Sequence, residues 1–197
     1  MLIFWKERLV FLSTPKTGST SIETALESLA HVAIRRPAEL KHLPAARYRQ
    51  YFAPMLEAAA GGRFTAVALM REPIDWLGSW YRYRQRDGIA DRSESTRGLS
   101  FDEAAQAYLE PRPAANMAVG SQARFLDAQA GAPGVDRLFR YEAIDRFVEF
   151  LEDRLDCEIL LPQLNVSPKG DLALSPGTRE RLRSKLAADY ALYDRLD

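Results

Sequence analysis

The chain has 197 residues, of which 47% are hydrophobic and 27% are charged, a composition that argues against disordered, fibrous and membrane-spanning classes of protein. Its 27 lysine and arginine residues equal its 27 aspartate and glutamate residues, which argues against binding to nucleic acid or an anionic membrane through overall charge. The single cysteine, Cys157, cannot form an internal disulfide, and one cysteine with two histidines cannot make a Cys/His metal cluster. We therefore expect one domain over residues 1–197, without a metal, in a reducing compartment.

The amino-terminal segment combines an apolar start with three consecutive charges, Lys6, Glu7 and Arg8. It lacks both the uninterrupted apolar stretch of a signal peptide and the roughly 20 apolar residues of a membrane anchor. We expect a cytoplasmic protein without a membrane partner.

Three strand–loop–helix units follow one another along the chain. Each consists of a short, apolar, β-prone run that stops at turn residues and is followed by apolar residues at helical spacing. The predicted strands cover 9–12, 64–70 and 135–140, and the helical stripes after them begin near Ser19, Ile74 and Ile144. This alternation predicts an α/β fold with a central, mostly parallel sheet flanked by helices.

Two segments lack these patterns. Residues 87–100 are rich in Gly, Ser, Asp and Arg, which predicts an exposed loop and makes it the best candidate for a mobile lid. Residues 165–176 are irregular in the same way, and a last helix is predicted over 178–196.

The first loop, residues 14–21, joins a predicted strand to a predicted helix. The first N–H groups of a helix are unpaired and the helix dipole is positive there, so a phosphate or sulfate group is a natural ligand. Gly18 permits close approach of the backbone, and Lys16 adds a positive charge. Hydroxyl donors follow at Ser19, Thr20 and Ser21.

A structural alternative for this loop is a capping box, in which Thr20 caps the helix and Glu23 bonds back to it. The lysine favours the anion site, because the chain has few lysines and one of them lies here. The loop is not a Walker A sequence, since G-x-x-x-x-G-K-[ST] places the lysine after the second glycine and Lys16 precedes Gly18. A triphosphate with Mg²⁺ is therefore disfavoured.

The second loop begins with Arg71, where the second predicted strand ends. Parallel strands end at the same edge of a sheet, so Arg71 should stand beside the first loop. Ser79, about two helical turns later, can point to the same side, and together they can hold a second anion. The alternative is a surface ion pair of Arg71 with Glu72 or Asp75.

Both loops together resemble those of the sulfotransferases that use 3′-phosphoadenosine 5′-phosphosulfate (PAPS), in particular the carbohydrate sulfotransferases and their short bacterial relatives. PKTGSTS at 15–21 is similar to the family's loop for the 5′-phosphosulfate, and REP at 71–73 with SWY at 79–81 is similar to its 3′-phosphate site. Further similarities, in family order, are KHLPA at 41–45, RYE at 140–142 and LPQLNVS at 161–167.

The resemblance implies a P-loop-like three-layer fold and transfer of a sulfuryl group from PAPS to a hydroxyl of a carbohydrate or small molecule, without a metal. Lys16 is expected to stabilise the charge that develops on the leaving phosphate oxygen. Tyr141 is expected near the adenine and Lys169 with Gly170 over the 3′-phosphate, with half-buried packing and a plain turn as the alternatives. The implied donor-binding residues are Lys16, Thr17, Gly18, Ser19, Thr20, Ser21, Arg71, Ser79, Tyr141, Lys169 and Gly170.

The acceptor hydroxyl must lose a proton, and histidine is the usual base for this at neutral pH. His42 lies within the KHLPA stretch and is the preferred catalytic base. His31 follows the first predicted helix and fits a cation at its carboxyl end. Glu23 is a further alternative, and a reaction in which neither histidine acts as base stays open.

Two other functions fit parts of the sequence. A nucleotide-anion binding module would keep both loops but need no base, and a P-loop kinase is disfavoured by the missing Walker A glycines. Acceptor contacts are expected from residues 45–62 and 87–100. Arg82, Arg84 and Arg86 form either a solvated face or a site for an anionic acceptor.

Overall fold

A computed structural model describes residues 1–89, 92–129, 131–162 and 171–196. Within these ranges the strands are β1 (Leu2–Phe4), β2 (Leu9–Leu12), β3 (Val32–Ala33), β4 (Thr65–Met70) and β5 (Arg137–Arg140). They form one sheet in the order β3-β1-β2-β4-β5. β4 pairs in parallel with β2 and with β5, as the three strand–loop–helix units predict, whereas β1 runs antiparallel to β2 and β3. The α/β class is confirmed, and the sheet is mixed because β1 runs against the other four strands.

The antiparallel part of the sheet arises from β1, which the sequence patterns did not identify. β1 is buried and pairs with β2 from Leu2 opposite Phe11 to Phe4 opposite Leu9. The charges at residues 6–8 fall in the turn between the two strands, where Arg8 adopts a φ of 48°. The charged interruption of the apolar start is therefore the polar turn of a hairpin.

Helices connect and cover the strands. The helix after β2 and the helices after β4 and β5 are found where the apolar spacing predicts them, but the predicted helix over 178–196 is divided at Leu186, which ends one helix and begins the next. The helices are α1 (Ser19–Leu26), α2 (Ala38–Lys41), α3 (Ala45–Arg47), α4 (Ala53–Ala60), α5 (Pro73–Tyr83), α6 (Phe101–Leu109), α7 (Gln122–Phe125), α8 (Ile144–Leu155), α9 (Pro176–Lys185) and α10 (Ala187–Tyr193). A π-helical turn (Tyr48–Phe52) and two 3₁₀ turns (Asp87–Ile89 and Tyr141–Ala143) complete the regular structure of the described residues.

Successive residues of a strand point to opposite sides of the sheet, and helices bury both of these sides. On one face, Leu9, Phe11, Val67 and Leu69 join a cluster with the apolar sides of α1 and α8. On the other face, alternate strand residues pack against α3, α4 and α10. A third cluster joins α5, α6 and α9.

The loop after α5 is tied to that helix. Tyr81 donates a hydrogen bond to the carbonyl of Leu99 at 2.7 Å, and the buried Thr96 donates to the carbonyl of Tyr81 at 2.7 Å. Apart from the 3₁₀ turn, the described part of residues 87–100 contains no helix or strand, as predicted. Its movement as a lid stays a prediction.

The topology brings the two predicted loops to one edge. β2, β4 and β5 run in the same direction, so the segments that follow them begin side by side. Those segments are the loop at 13–18, the turn at Arg71 and Glu72, and the turn at Tyr141. The start of β1 lies at the same edge, because β1 is antiparallel to β2.

Candidate functional site

The loop between β2 and α1 leads directly into the first turn of that helix. Gly18 is the N-cap residue, with a left-handed backbone (φ 72°), and no side chain caps the helix. The alternative of a capping box of Thr20 and Glu23 is therefore wrong. The helix starts two residues earlier than that pattern requires, so Glu23 lies in its second turn and its side chain is fully buried.

The predicted hydroxyl donors of this loop have different surroundings. Thr17 is buried and donates to the carbonyl of Thr14 at 2.9 Å, so its hydroxyl serves the loop itself. Ser19 is buried in the first turn of α1, and the hydroxyl of Thr20 accepts a hydrogen bond from Lys41 Nζ at 3.3 Å. Ser21 is half-buried in the same turn.

Hydrogen bonds from Arg71, just after β4, and from Trp76 of α5 hold the first loop in a strained backbone conformation. Lys16 has a φ of 66°, which costs free energy for a residue with a side chain. Trp76 Nε1 donates to the carbonyl of Pro15 at 2.9 Å, and Arg71 Nη1 donates to the carbonyl of Lys16 at 3.4 Å. These bonds fix the turn from the side of the second loop.

The Lys16 ammonium lies over aromatic rings of α5. Its Nζ is 3.9 Å from the centroid of the Tyr83 ring and 5.6 Å from that of Trp80. Burial, followed by the positive charges of nearby arginines, lowers the pKa of Lys16 to about 7. Among the described residues, no carboxylate forms an ion pair with this ammonium.

Arg71 stands beside the loop, as predicted. Its Nε donates to Asp75 Oδ2 at 2.6 Å, so the ion pair that the sequence offered as an alternative is present. Its guanidinium carbon also lies 4.8 Å from the centroid of the Tyr141 ring. Arg82 Nη2 approaches the other oxygen of Asp75 at 3.5 Å. One carboxylate is thus shared by two arginines.

Ser79 is buried in α5. Residues three and four positions apart share a helix face, which groups Ser79 with Asp75, Trp76, Arg82 and Tyr83. Trp76 and Tyr83 contact the loop, and Asp75 contacts Arg71. Helical spacing therefore puts Ser79 on the side of α5 that faces the loop, and its role at a 3′-phosphate stays a prediction.

Tyr141, directly after β5, lies beside both Gly18 and Arg71. A Cβ atom at Gly18 would lie only 2.9 Å from Tyr141 Cε2, so the ring packs directly against the glycine backbone. The ring is half-buried and also faces Arg71. Its role at an adenine stays a prediction.

Gly18→Ala should reduce the free energy of unfolding by about 2 kcal/mol, since it combines left-handed backbone strain with a steric contact to Tyr141. Gly61→Ala is the matched control. Gly61 also has a positive φ, of 65°, but a Cβ there meets no atom within 4 Å, so only the backbone strain of about 1 kcal/mol applies. Urea unfolding of both variants measures the difference, and equal losses would show that the Tyr141 contact is unimportant.

Glu23 lies at the centre of a buried polar network. Ser13 Oγ donates to Glu23 Oε1 at 2.6 Å, Lys41 Nζ lies 2.9 Å from Oε2, and the Met1 ammonium lies 3.2 Å from Oε1. Burial acts to raise the pKa of Glu23, but the hydrogen bonds of Ser13 and Lys41 and the nearby positive charges outweigh it and hold the pKa below its usual value. A carboxylate held by so many donors is a poor proton acceptor, which disfavours Glu23 as the base.

His42 lies next to this network, and its Nδ1 is 2.7 Å from the carbonyl oxygen of Ser13. A carbonyl oxygen only accepts, so Nδ1 carries the hydrogen and the neutral ring has its free lone pair on Nε2. Burial is the main cause that lowers the pKa of His42 and favours this neutral form. These are the properties of a base at neutral pH.

His31 lies at the opposite edge of the sheet. Its backbone N–H bonds to Ile3 at 2.9 Å, and its Nδ1 accepts from the backbone N–H of Trp5 at 3.2 Å, near the far end of β1. It also follows α1, which ends at Leu26, by several residues, so the role of a cation at that helix end does not fit.

Of the three predicted arginines of α5 and the turn after it, Arg82 and Arg86 lie beside the site and Arg84 points elsewhere. Arg84 donates to the carbonyl of Ala115, whereas Arg86 stacks on Tyr83 and Arg82 faces Asp75, so the three arginines do not form one face. Lys169 and Gly170 lie outside the described residues, and their role stays a prediction.

The sequence reasoning missed Gln122, a fully buried side chain that bonds to the backbone of Arg71. It also did not identify Trp80 and Tyr83, whose rings lie beneath Lys16. For Tyr83, its position four residues after Ser79 was the available signal. Gln122 stands in no recognisable pattern.

In the part of the chain that the structure describes, no three His, Cys, Asp or Glu residues are grouped to hold a metal ion, and no helix has the length and apolarity to span a bilayer. The chain matches no protein-family model, no curated protein and no solved structure.

Proposed function

We propose that this chain is a PAPS-dependent sulfotransferase that moves a sulfuryl group to a hydroxyl acceptor. The observation that carries the proposal is the group of positive charges around the first loop. Arg71 bonds to the carbonyl of Lys16, Arg86 stacks on the Tyr83 ring over which Lys16 also lies, and Arg82 shares the Asp75 carboxylate with Arg71. An anion with more than one charge would complete this arrangement.

We place PAPS at the sheet edge that carries the first loop, Arg71 and Tyr141. Its 5′-phosphosulfate would lie against Lys16 and the first turn of α1, where the helix dipole favours an anion. Its 3′-phosphate would lie between Arg71 and Ser79, and its adenine against Tyr141. The unit of β2, loop and α1 is P-loop-like in layout, although it lacks the Walker A glycines.

The chemistry assigns one task to Lys16. The acceptor oxygen attacks the sulfur atom, and the bond from sulfur to the 5′-phosphate oxygen breaks, leaving the electron pair on that oxygen. Negative charge grows there, and the Lys16 ammonium can stabilise it. The bound anion would raise the pKa of Lys16 above the value of about 7 in the free chain and keep the ammonium protonated.

The acceptor proton goes to Nε2 of His42. An open cleft is lined by Glu27, Ala33, Arg35, Arg36 and Lys41, the chain neighbour of His42, and would offer the acceptor an approach. Lys41 also bonds to Thr20 in the first turn of α1, so the cleft and the donor loop meet at this lysine. Donor and base would therefore face a common space.

Arg71→Ala and Ser79→Ala should weaken binding of 3′,5′-adenosine bisphosphate far more than binding of adenosine 5′-phosphosulfate, which lacks the 3′-phosphate. Loss of a charge-assisted hydrogen bond from Arg71 should cost about 1.5–3 kcal/mol, or roughly 10- to 150-fold in Kd. Calorimetric titration measures both ligands, with the exposed Arg112→Ala as the control. Equal losses for the two ligands would place Arg71 and Ser79 away from the 3′-phosphate.

Transfer itself is tested by a screen of hydroxyl acceptors with ³⁵S-labelled PAPS. The proposal expects label on a carbohydrate or small molecule and release of 3′,5′-adenosine bisphosphate. Tight binding of the donor with no transfer to any acceptor would favour the nucleotide-anion binding module instead.

A further inference from the structure

Gln122 holds the backbone of Arg71 with both ends of its amide. Gln122 Oε1 accepts the backbone N–H of Arg71 at 2.9 Å, and Gln122 Nε2 donates to the carbonyl of Arg71 at 2.7 Å. The side chain is fully buried, so water does not compete for these bonds. Burial of an amide is costly unless its polar atoms are bonded, and here both ends are used on a single residue.

Asp189 fixes Gln122 in turn. Asp189 Oδ1 accepts the backbone N–H groups of Gln122 at 2.8 Å and of Ala123 at 3.1 Å, in the first turn of α7. Asp189 belongs to α10 and is 2% exposed. Because α7 has four residues, this bond from another helix determines where its first turn lies.

Two tyrosines of α10 contact the turns that carry Arg71 and Tyr141. Tyr190 donates to Glu72 Oε1 at 2.6 Å, directly after Arg71 in the chain. Tyr193 donates to Glu142 Oε2 at 3.0 Å, directly after Tyr141. Glu142 also accepts the backbone N–H of Glu72 at 2.9 Å, which joins the two turns to each other.

We propose that Gln122 is a positioning residue for the 3′-phosphate, with Asp189 as its support. Arg71 is the first residue beyond β4, where the sheet no longer fixes the backbone. Water could satisfy the N–H and carbonyl of Arg71 at that point, but it would not fix their direction. The Gln122 amide fixes the direction of both groups, and it thereby fixes the backbone position from which the Arg71 side chain extends. This inference rests on the proposed function, because it assumes that Arg71 binds the 3′-phosphate.

The test compares two ligands in the full chain by calorimetry. Gln122→Met keeps the length of the side chain but removes both hydrogen bonds. It should weaken 3′,5′-adenosine bisphosphate by about 5- to 20-fold, the loss expected for one or two hydrogen bonds, and leave adenosine 5′-phosphosulfate within about twofold. In an Arg71→Ala background, Gln122→Met should cause no further loss for the bisphosphate, because the group that it positions is absent.

A merely structural role gives a different result. General loosening of the fold would weaken both ligands equally and would add to the loss in the Arg71→Ala background, and either result overturns the proposal. Asp189→Asn keeps an oxygen that can accept the two N–H groups, so it should retain wild-type affinity, whereas Asp189→Ala should reproduce the selective loss. If Gln122→Met does not fold, the two Asp189 variants decide in the same way, and equal behaviour of the two overturns the proposal.

Failure of the proposed function gives a distinct outcome. If the wild-type chain bound neither nucleotide, both the function and this inference would be wrong. If the wild type bound the bisphosphate and Arg71→Ala reduced its affinity while Gln122→Met did not, only the positioning role would be wrong.

Discussion

Lys16→Ala should slow sulfuryl transfer by about 10²- to 10³-fold, the loss typical when one group that stabilises developing charge is removed. The ammonium lies over the Tyr83 and Trp80 rings and is not held by a carboxylate of any described residue, so it can move toward a bound anion. The fold should survive, because alanine also removes the cost of burying a charge. Turnover with labelled PAPS and circular dichroism of the variant measure the two effects.

Lys6→Ala is the matched control, because Lys6 is exposed in the turn between β1 and β2. It should keep full activity. In the wild type, donor affinity should fall as pH rises through about 7, since the pKa of Lys16 lies there and a neutral amine does not attract an anion. That decline should be absent from Lys16→Ala. A Lys16→Ala enzyme within twofold of wild type would rule out the assigned role.

His42→Ala should slow turnover by about 10²- to 10⁴-fold with unchanged donor affinity, the range expected for loss of a general base. The wild-type pH profile should have an acidic limb, because protonation of Nε2 removes the base as pH falls. Burial lowers the pKa of His42, so the limb should lie below the value of about 6.5 for a free imidazole. His42→Ala should lack this limb.

His31→Ala is the control, and it should change neither the rate nor the limb, because His31 contacts β1 at the opposite edge of the sheet. If instead His31→Ala removed the limb, the assignment of the two histidines would be reversed. Full activity in both variants would favour an acceptor acidic enough to react without a base, since Glu23 is already bonded to Ser13 and paired with Lys41 and the Met1 ammonium.

The parallel part of the fold was predictable because its signals are local. The runs at β2, β4 and β5 are apolar, end at turn residues and are followed by helical spacing, and each of these features lies within a few residues. Parallel strands then place the loops after them at one edge, which is why Lys16 and Arg71 were expected together. The bond from Arg71 to the carbonyl of Lys16 agrees with that expectation.

Other elements left no comparable local signal. β3 is two exposed residues long and exists by its pairing with β1, which is itself three residues long. The spacing of Thr20 and Glu23 matches a capping box, but the helix begins at Ser19 and Glu23 turns to Ser13 and Lys41. A pattern of spacing alone does not reveal which residue begins the helix.

The support behind Arg71 was unpredictable because it depends on distant parts of the chain. Gln122 is 51 residues from Arg71, and Asp189 is 67 residues from Gln122. Each is a common polar residue in an unremarkable stretch, and its function in the fold follows from burial and from partners that only the tertiary structure brings together. The residues that form a site can thus be inferred from sequence more readily than those that orient it.

Calorimetric titration of the wild-type chain with 3′,5′-adenosine bisphosphate, in parallel with ATP and Mg²⁺, tests the central claim without knowledge of the acceptor. We expect the bisphosphate to bind with one site per chain, without Mg²⁺, and more tightly than ATP with Mg²⁺, because the first loop lacks the Walker A glycines and a second anion site is built from Arg71 and Ser79. Absence of bisphosphate binding, or preferential binding of ATP with Mg²⁺, would contradict the account.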